Sequence, residues 1–179
     1  MPKRGRTSVT HFCGWPQLFL MMSKFDKPIK GALFATLFQS GARISEALDF
    51  HSDMFKRVET PEGPQIIIYG AKVLKKHEPT IRNIPIPLHE KLVAPMMNWV
   101  EEKNGFLFSG VTREQAYWWL VRTDPTWWLH RIRSERATQL VLEYGFTVAD
   151  LMKFFNWSNP KEAIDYVRLS VGDIGKKMM

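Results

Sequence analysis

Apolar positions along this chain recur mostly at helical spacing, and the polar punctuation between them marks where each helix stops. Pro28 opens an apolar run, LFATLF, that ends near Gly41, and a second short helix is expected from Arg43. Downstream the pattern predicts helices over 89–103, 112–123, 125–144 and 147–155, the third of them closed by Gly145. A last helix is signalled by Asn159 as cap, Pro160 in the first turn and Glu162 completing a capping box. Two stretches alternate instead. Residues 65–69 (QIIIY) are β-branched and strand-like. In residues 80–88, Ile84, Ile86 and Leu88 alternate with Pro85 and Pro87, which cannot donate ladder hydrogen bonds, so an edge strand is expected. The fold class is therefore α+β and mainly α-helical: a helical bundle with a small antiparallel hairpin whose long tip is rich in lysine.

Composition narrows this. At 179 residues and 45% hydrophobic content the chain can bury one good core, and a second full domain is not expected. Residues 1–16 are polar, basic and punctuated by Gly and Pro, which reads as a flexible arm ahead of one domain over 17–179. A net charge of +7 and a pI of about 9.6 point to a polyanionic partner, of which nucleic acid is the commonest. The single cysteine, Cys13, can form neither an internal disulfide nor a cysteine zinc cluster, which suits a reducing cytoplasm. No apolar run approaches the roughly 18 residues of a membrane span, so no membrane partner is expected.

Candidate chemistry centres on His130 and Arg133, three residues apart on one helix face, where a guanidinium can grip two phosphate oxygens beside a group that moves protons. Arg43 stands at a helix start, where anions are favoured, with Glu46 three residues on. Lys72, Lys75 and Lys76 crowd the hairpin, and a lysine there can protonate a leaving oxygen or contact phosphate. Arg131 and Arg136 share the helix of Arg133 and are candidate DNA contacts with Lys75 and Lys76. Trp157 offers an indole donor and a flat face. Tyr166 offers a phenol that becomes nucleophilic if neighbouring cations stabilise its oxyanion. Taken singly, each has a plainer reading: a surface ion pair, a solubilising turn, a polar helix flank, or core filling. The pairs Trp118-Trp119 and Trp127-Trp128 lie in helical patterns and are expected in the core or a subunit interface.

Taken together, Arg43, Lys72, His130-x-x-Arg133, Trp157 and Tyr166 resemble, in that order, the signature of the tyrosine recombinase (phage integrase) family. LFQSGARISEALDF resembles that family's first box, YGAK its hairpin lysine, and LHRIRSERATQLVLEYGFTVADLMKFFNWSNPKEAIDYVRL its second box through the tyrosine helix. The resemblance covers about residues 28–170. It implies a catalytic domain that cleaves and rejoins double-stranded DNA through a 3′-phosphotyrosyl link, with no metal or other cofactor. By that resemblance Tyr166 is the nucleophile, Arg43 and Arg133 clamp the phosphate, Lys72 protonates the leaving oxygen, His130 manages protons, Trp157 donates or packs, and Glu46 orients Arg43 or His130. It further implies a homo-tetramer on DNA and a monomer in solution. Three departures stand out: Trp157 replaces the usual histidine, the hairpin tip is long enough to leave Lys72, Lys75 and Lys76 competing for one role, and only a short basic arm precedes the first box. A type IB topoisomerase-like enzyme and a non-catalytic helix-turn-helix protein are the competing readings, the second because residues 147–169 also resemble two helices about a turn.

Overall fold

Helix α2 (Pro28–Ser40) begins with proline at its first turn and ends where Gly41 turns into the left-handed region at φ 59°. The computed structural model describes residues 12–73 and 80–167. Every residue of α2 from Gly31 to Ser40 is buried, so this helix is apolar all round and forms the centre of the core. Helix α1 (Trp15–Ser23) precedes it and α3 (Ile44–Ala47) follows it. A three-stranded antiparallel sheet comes next, built from β1 (Phe55–Thr60), β2 (Gly63–Val73) and β3 (Thr80–Pro87) in that spatial order. Helices α4 (Val93–Glu101), α5 (Arg113–Thr123), α6 (Leu129–Tyr144) and α7 (Val148–Phe155) complete the bundle, with a final helix, α8, described over residues 160–167. Helices α4 and α6 flank α2.

The α+β, mainly helical expectation holds, and its elements differ mostly at their ends. Helix α6 starts at Leu129, not at residue 125, because the Asp124 carboxylate accepts from the Thr126 backbone N–H at 3.0 Å and its hydroxyl at 2.6 Å, holding 124–126 in a turn. Helix α4 likewise starts at Val93 after a run of turns. Strand β1 was not anticipated, since Lys56, Arg57 and Glu59 hide its alternation; it lies at a sheet edge with most of its residues exposed or partly so. The proline-bearing β3 is the other edge, as its missing donors require. Strand β2 runs on to Val73 through an irregularity between Ile68 and Ala71, where Gly70 takes φ 67°, so Lys72 lies on the strand itself and not in the tip. The rest of that tip, with Lys75 and Lys76, lies outside the described residues, as do residues 1–11 of the expected arm. The last residues of the expected arm are ordered in the fold. Trp15 and Pro16 are helical, and Phe12 and Trp15 meet edge-on at 5.7 Å while Trp15 packs on Phe38 at 5.7 Å. Trp127 is fully buried in the core, whereas Trp118 is exposed.

Gly41 is where backbone and packing demands coincide. A Cβ there would lie 2.4 Å from the Phe155 ring, on a residue that also needs positive φ. Gly41→Ala is expected to lower stability by on the order of 3 kcal/mol. Gly145→Ala, at φ 67° with nothing within 4 Å of the added methyl, should cost about 1 kcal/mol. Urea unfolding of the two variants checks the contrast, and equal losses would contradict the packing argument.

Candidate active site

The turn at Gly41 delivers Arg43 to the N-terminus of α3, where its backbone N–H donates to Glu46 Oε2 at 2.9 Å and its Nη1 donates to Glu46 Oε1 at 3.2 Å. Glu46 is 2% exposed. Its other neighbour is Arg133 on α6, whose Nη1 stands 3.9 Å from Glu46 Oε2 and donates to the Gly41 carbonyl. One buried carboxylate thus holds both arginines of the predicted pair, Arg43 at the surface and Arg133 beneath it. Burying Arg133 without a counter-charge would be costly, and Glu46 supplies that charge. Burial nevertheless brings the Arg133 pKa down to about 10, with Glu46 opposing the shift and Arg43 adding to it.

A third guanidinium, missed from the sequence, joins them. Arg82 on β3 is buried, and its two terminal nitrogens donate to the Phe154 and Ser40 carbonyls, the latter at 3.1 Å. Those oxygens end α7 and α2, where unsatisfied carbonyls favour a cation. Burial first and repulsion from Arg133 second bring its pKa to about 9, so it stays charged at neutral pH. The signal was present: Arg82 has the same parity as the buried Ile84 and Ile86. Arg43, Arg82 and Arg133 outnumber the one buried carboxylate among them, Glu46, while the exposed Glu162 and Asp165 lie on the Tyr166 side.

The aromatic side of the site begins at the end of α7. Asn156 takes φ 54° as its C-cap, and its amide reaches the Thr80 hydroxyl, tying this turn to β3. Phe155 and Trp157 stack at 4.5 Å with planes 15° apart, and Trp157 and Tyr166 stack at 5.9 Å and 9°. The Arg133 guanidinium lies over both Phe155 (4.6 Å) and Trp157 (5.5 Å). The ladder ends at the Tyr166 phenol, which donates to Ser134 Oγ at 2.9 Å. Burial raises the Tyr166 pKa, while the Ser134 hydrogen bond and the Arg133 charge pull it back. Two donors here, Arg133 Nη2 and Trp157 Nε1, are buried with no protein partner. Unmet donors in a cationic site suit an anion with several oxygens.

Arg43, Glu46, Arg133, Trp157 and Tyr166 are therefore brought together. His130, exposed on the first turn of α6, is one turn from Ser134, whose hydroxyl donates to the His130 carbonyl at 3.2 Å. Lys72 is exposed on β2 opposite Ile81, while the neighbouring pair Ala71 and Arg82 faces inward. One expected DNA contact, Arg136, is corrected, and a second, Arg131, is engaged within the chain while partly exposed. Arg136 is fully buried, ion-paired to Glu90 at 2.7 Å and hydrogen-bonded to Gln139 at 2.6 Å, which makes it a core cation. Arg131 is committed to Glu135 at 3.1 Å, the Thr126 carbonyl at 2.7 Å and the Trp127 ring at 4.3 Å, so it braces the start of α6. Among the described residues no group of three or more His, Cys, Asp or Glu could hold a metal ion, and no helix is long and apolar enough to cross a membrane.

No protein-family model matches the sequence, and no curated protein does. Solved structures do. The XerH site-specific recombinase bound to its difH substrate superposes at TM-score 0.64 and 16% identity, over 93% of this chain and 52% of that one. The catalytic domain of bacteriophage HP1 integrase gives TM-score 0.59 at 17% identity, over 89% of this chain and 88% of that one. The chain has the integrase catalytic-domain fold. A Tn1549 transposon integrase fragment in complex with circular intermediate DNA matches at TM-score 0.64 and 17% identity, over 90% of this chain and 62% of that one. The chain thus spans about half of the XerH recombinase and less than two thirds of the transposon integrase fragment.

Removing Glu46 tests how the site is assembled. Glu46→Ala strands Arg133 in the interior and is expected to cost about 3–5 kcal/mol. Arg43→Ala removes a surface side chain and leaves Glu46 with the Arg43 backbone N–H and Arg133, so it should cost about 1 kcal/mol or less. Chemical denaturation of both variants checks this, and a Glu46→Ala protein as stable as Arg43→Ala would contradict it.

Proposed function

We propose that this chain is the catalytic domain of a tyrosine-type site-specific DNA recombinase. The observation that carries the proposal is the convergence of Arg43 and Arg133 on Glu46 beside the stack of Trp157 and Tyr166. In this reading the two arginines clamp the non-bridging oxygens of a DNA phosphodiester and stabilise the charge that grows there in the transition state. Trp157 Nε1 and Arg133 Nη2 supply further donors. Tyr166 Oη attacks phosphorus, the bond to the 5′ oxygen breaks, and a 3′-phosphotyrosyl link forms. The phenol proton passes to His130, and Lys72 or a neighbouring hairpin lysine protonates the departing 5′ oxygen. Reversal by a 5′-hydroxyl from a second strand completes recombination, so the link conserves bond energy without a cofactor. Double-stranded DNA is the substrate, and four copies assembled on two duplexes are the form that exchanges strands.

The test is a pool of nicked duplexes with a randomised core, in which cleavage lets the short 5′-terminated strand diffuse away and traps the adduct. Wild type is expected to give a protease-sensitive covalent protein–DNA band on a denaturing gel. Tyr166→Phe should give none, and Arg133→Ala should lower the yield by about a hundredfold or more. No band from wild type, or the same band from Tyr166→Phe, contradicts the reading. Relaxation of a single supercoiled circle without joining of two sites marks a topoisomerase-like enzyme instead.

A further inference from the structure

Ser134 is buried, follows Arg133 directly, and makes two hydrogen bonds through one oxygen: it accepts from Tyr166 Oη at 2.9 Å and donates to the His130 carbonyl at 3.2 Å. We propose that Ser134 is the positioning residue for the Tyr166 nucleophile, holding the phenol oxygen beside the Arg133 clamp and turning its own hydroxyl to that oxygen as the phenol proton leaves. The inference rests on Tyr166 being the nucleophile, as proposed above.

Three features of the geometry support it. The ring of Tyr166 is already fixed in plane by stacking at 9° on Trp157, which leaves rotation within that plane and sliding as its free motions. A hydrogen bond at the phenol tip removes both. Ser134 is also placed on the same turn of α6 as Arg133, so the nucleophile is referenced to the helix that carries the phosphate clamp. Finally, the chain of bonds ends at a backbone carbonyl, which cannot take a proton, so Ser134 is not the base. Its proton is neither gained nor lost over the reaction. It serves as acceptor while the phenol is neutral and as donor once the phenolate forms, and the base that removes the proton is a separate group.

That change of role favours the ionised phenol, in the same direction as the charge of Arg133, also on α6. Glu162 and Asp165, on the tyrosine's own helix, act the other way. The end of α7 presents only the uncharged rings of Phe155 and Trp157, and His130 is one turn away on α6. Loss of the Ser134 hydroxyl therefore leaves burial and two carboxylates opposed chiefly by Arg133, and ionisation of Tyr166 moves to higher pH.

The experiment uses the full chain and the duplex recovered from the randomised pool, with adduct formation timed across pH. Ser134→Ala is expected to bind that duplex as wild type does, to form adduct about tenfold more slowly at neutral pH, as loss of one hydrogen bond implies, and to move the limb on which rate rises with Tyr166 ionisation to higher pH. Ser134→Thr, which keeps the hydroxyl, should restore both rate and limb. An unchanged rate and limb in Ser134→Ala overturns the proposal. So does an equal loss in Ala and Thr variants with the limb unmoved, which marks a packing role. Tyr166→Phe is run alongside: adduct from that variant defeats the nucleophile assignment itself, independently of Ser134.

Discussion

The buried carboxylate of Glu46 is the constraint on which the site depends. Two arginines from distant parts of the chain, one after α2 and one on α6, can approach each other only with a negative charge between them, and Arg133 can be buried only because that charge is there. Glu46 is itself fixed by the Arg43 backbone N–H, so the short helix α3 exists in part to hold the carboxylate in place. The backbone at Gly41 closes the arrangement, since its carbonyl accepts from Arg133 and its missing side chain admits Phe155.

A second layer locks the sheet to this centre. Arg82 reaches from β3 to the ends of α2 and α7, and the Asn156 amide reaches Thr80 at the start of the same strand. Strand β3, the α2–α3 turn and the aromatic ladder at the end of α7 are therefore one mechanical unit. The hairpin that carries Lys72 grows out of that unit, in register with Ile81. Three clustered guanidinium groups, buried donors without protein partners, and a stacked phenol at the edge of the same cluster give an environment that suits an anion with several oxygens.

Much of this was legible in the sequence, and for definite reasons. Pro28, Gly41, Gly145 and Asn159 punctuate helices by backbone chemistry that does not depend on tertiary context, so the helical order could be read directly. Arg43, Glu46 and Arg133 were identifiable because residue type, helix position and order coincided. Other features escaped because they arise only on packing. Helix α6 is buried through residues 132–141, so its periodicity could not tell the core cation Arg136 from the site cation Arg133. Strand β1 carries too many charges to alternate visibly. Ser134 has no signal of its own and becomes meaningful only when α8 lays Tyr166 against α6. Arg82 was the readable omission, since its parity with Ile84 and Ile86 placed it inward.

Under the proposed function, one phenol in this constellation becomes covalently joined to DNA. Mass spectrometry of the tryptic digest of the trapped adduct, after nuclease trimming, locates the link. Cleavage after Lys161 and Arg168 gives a peptide over residues 162–168, EAIDYVR, that contains Tyr166 as its only tyrosine. A nucleotide 3′-phosphate carried by Tyr166 in that peptide is the expected result. A nucleotide mass on any other peptide, with residues 162–168 recovered unmodified, would contradict it.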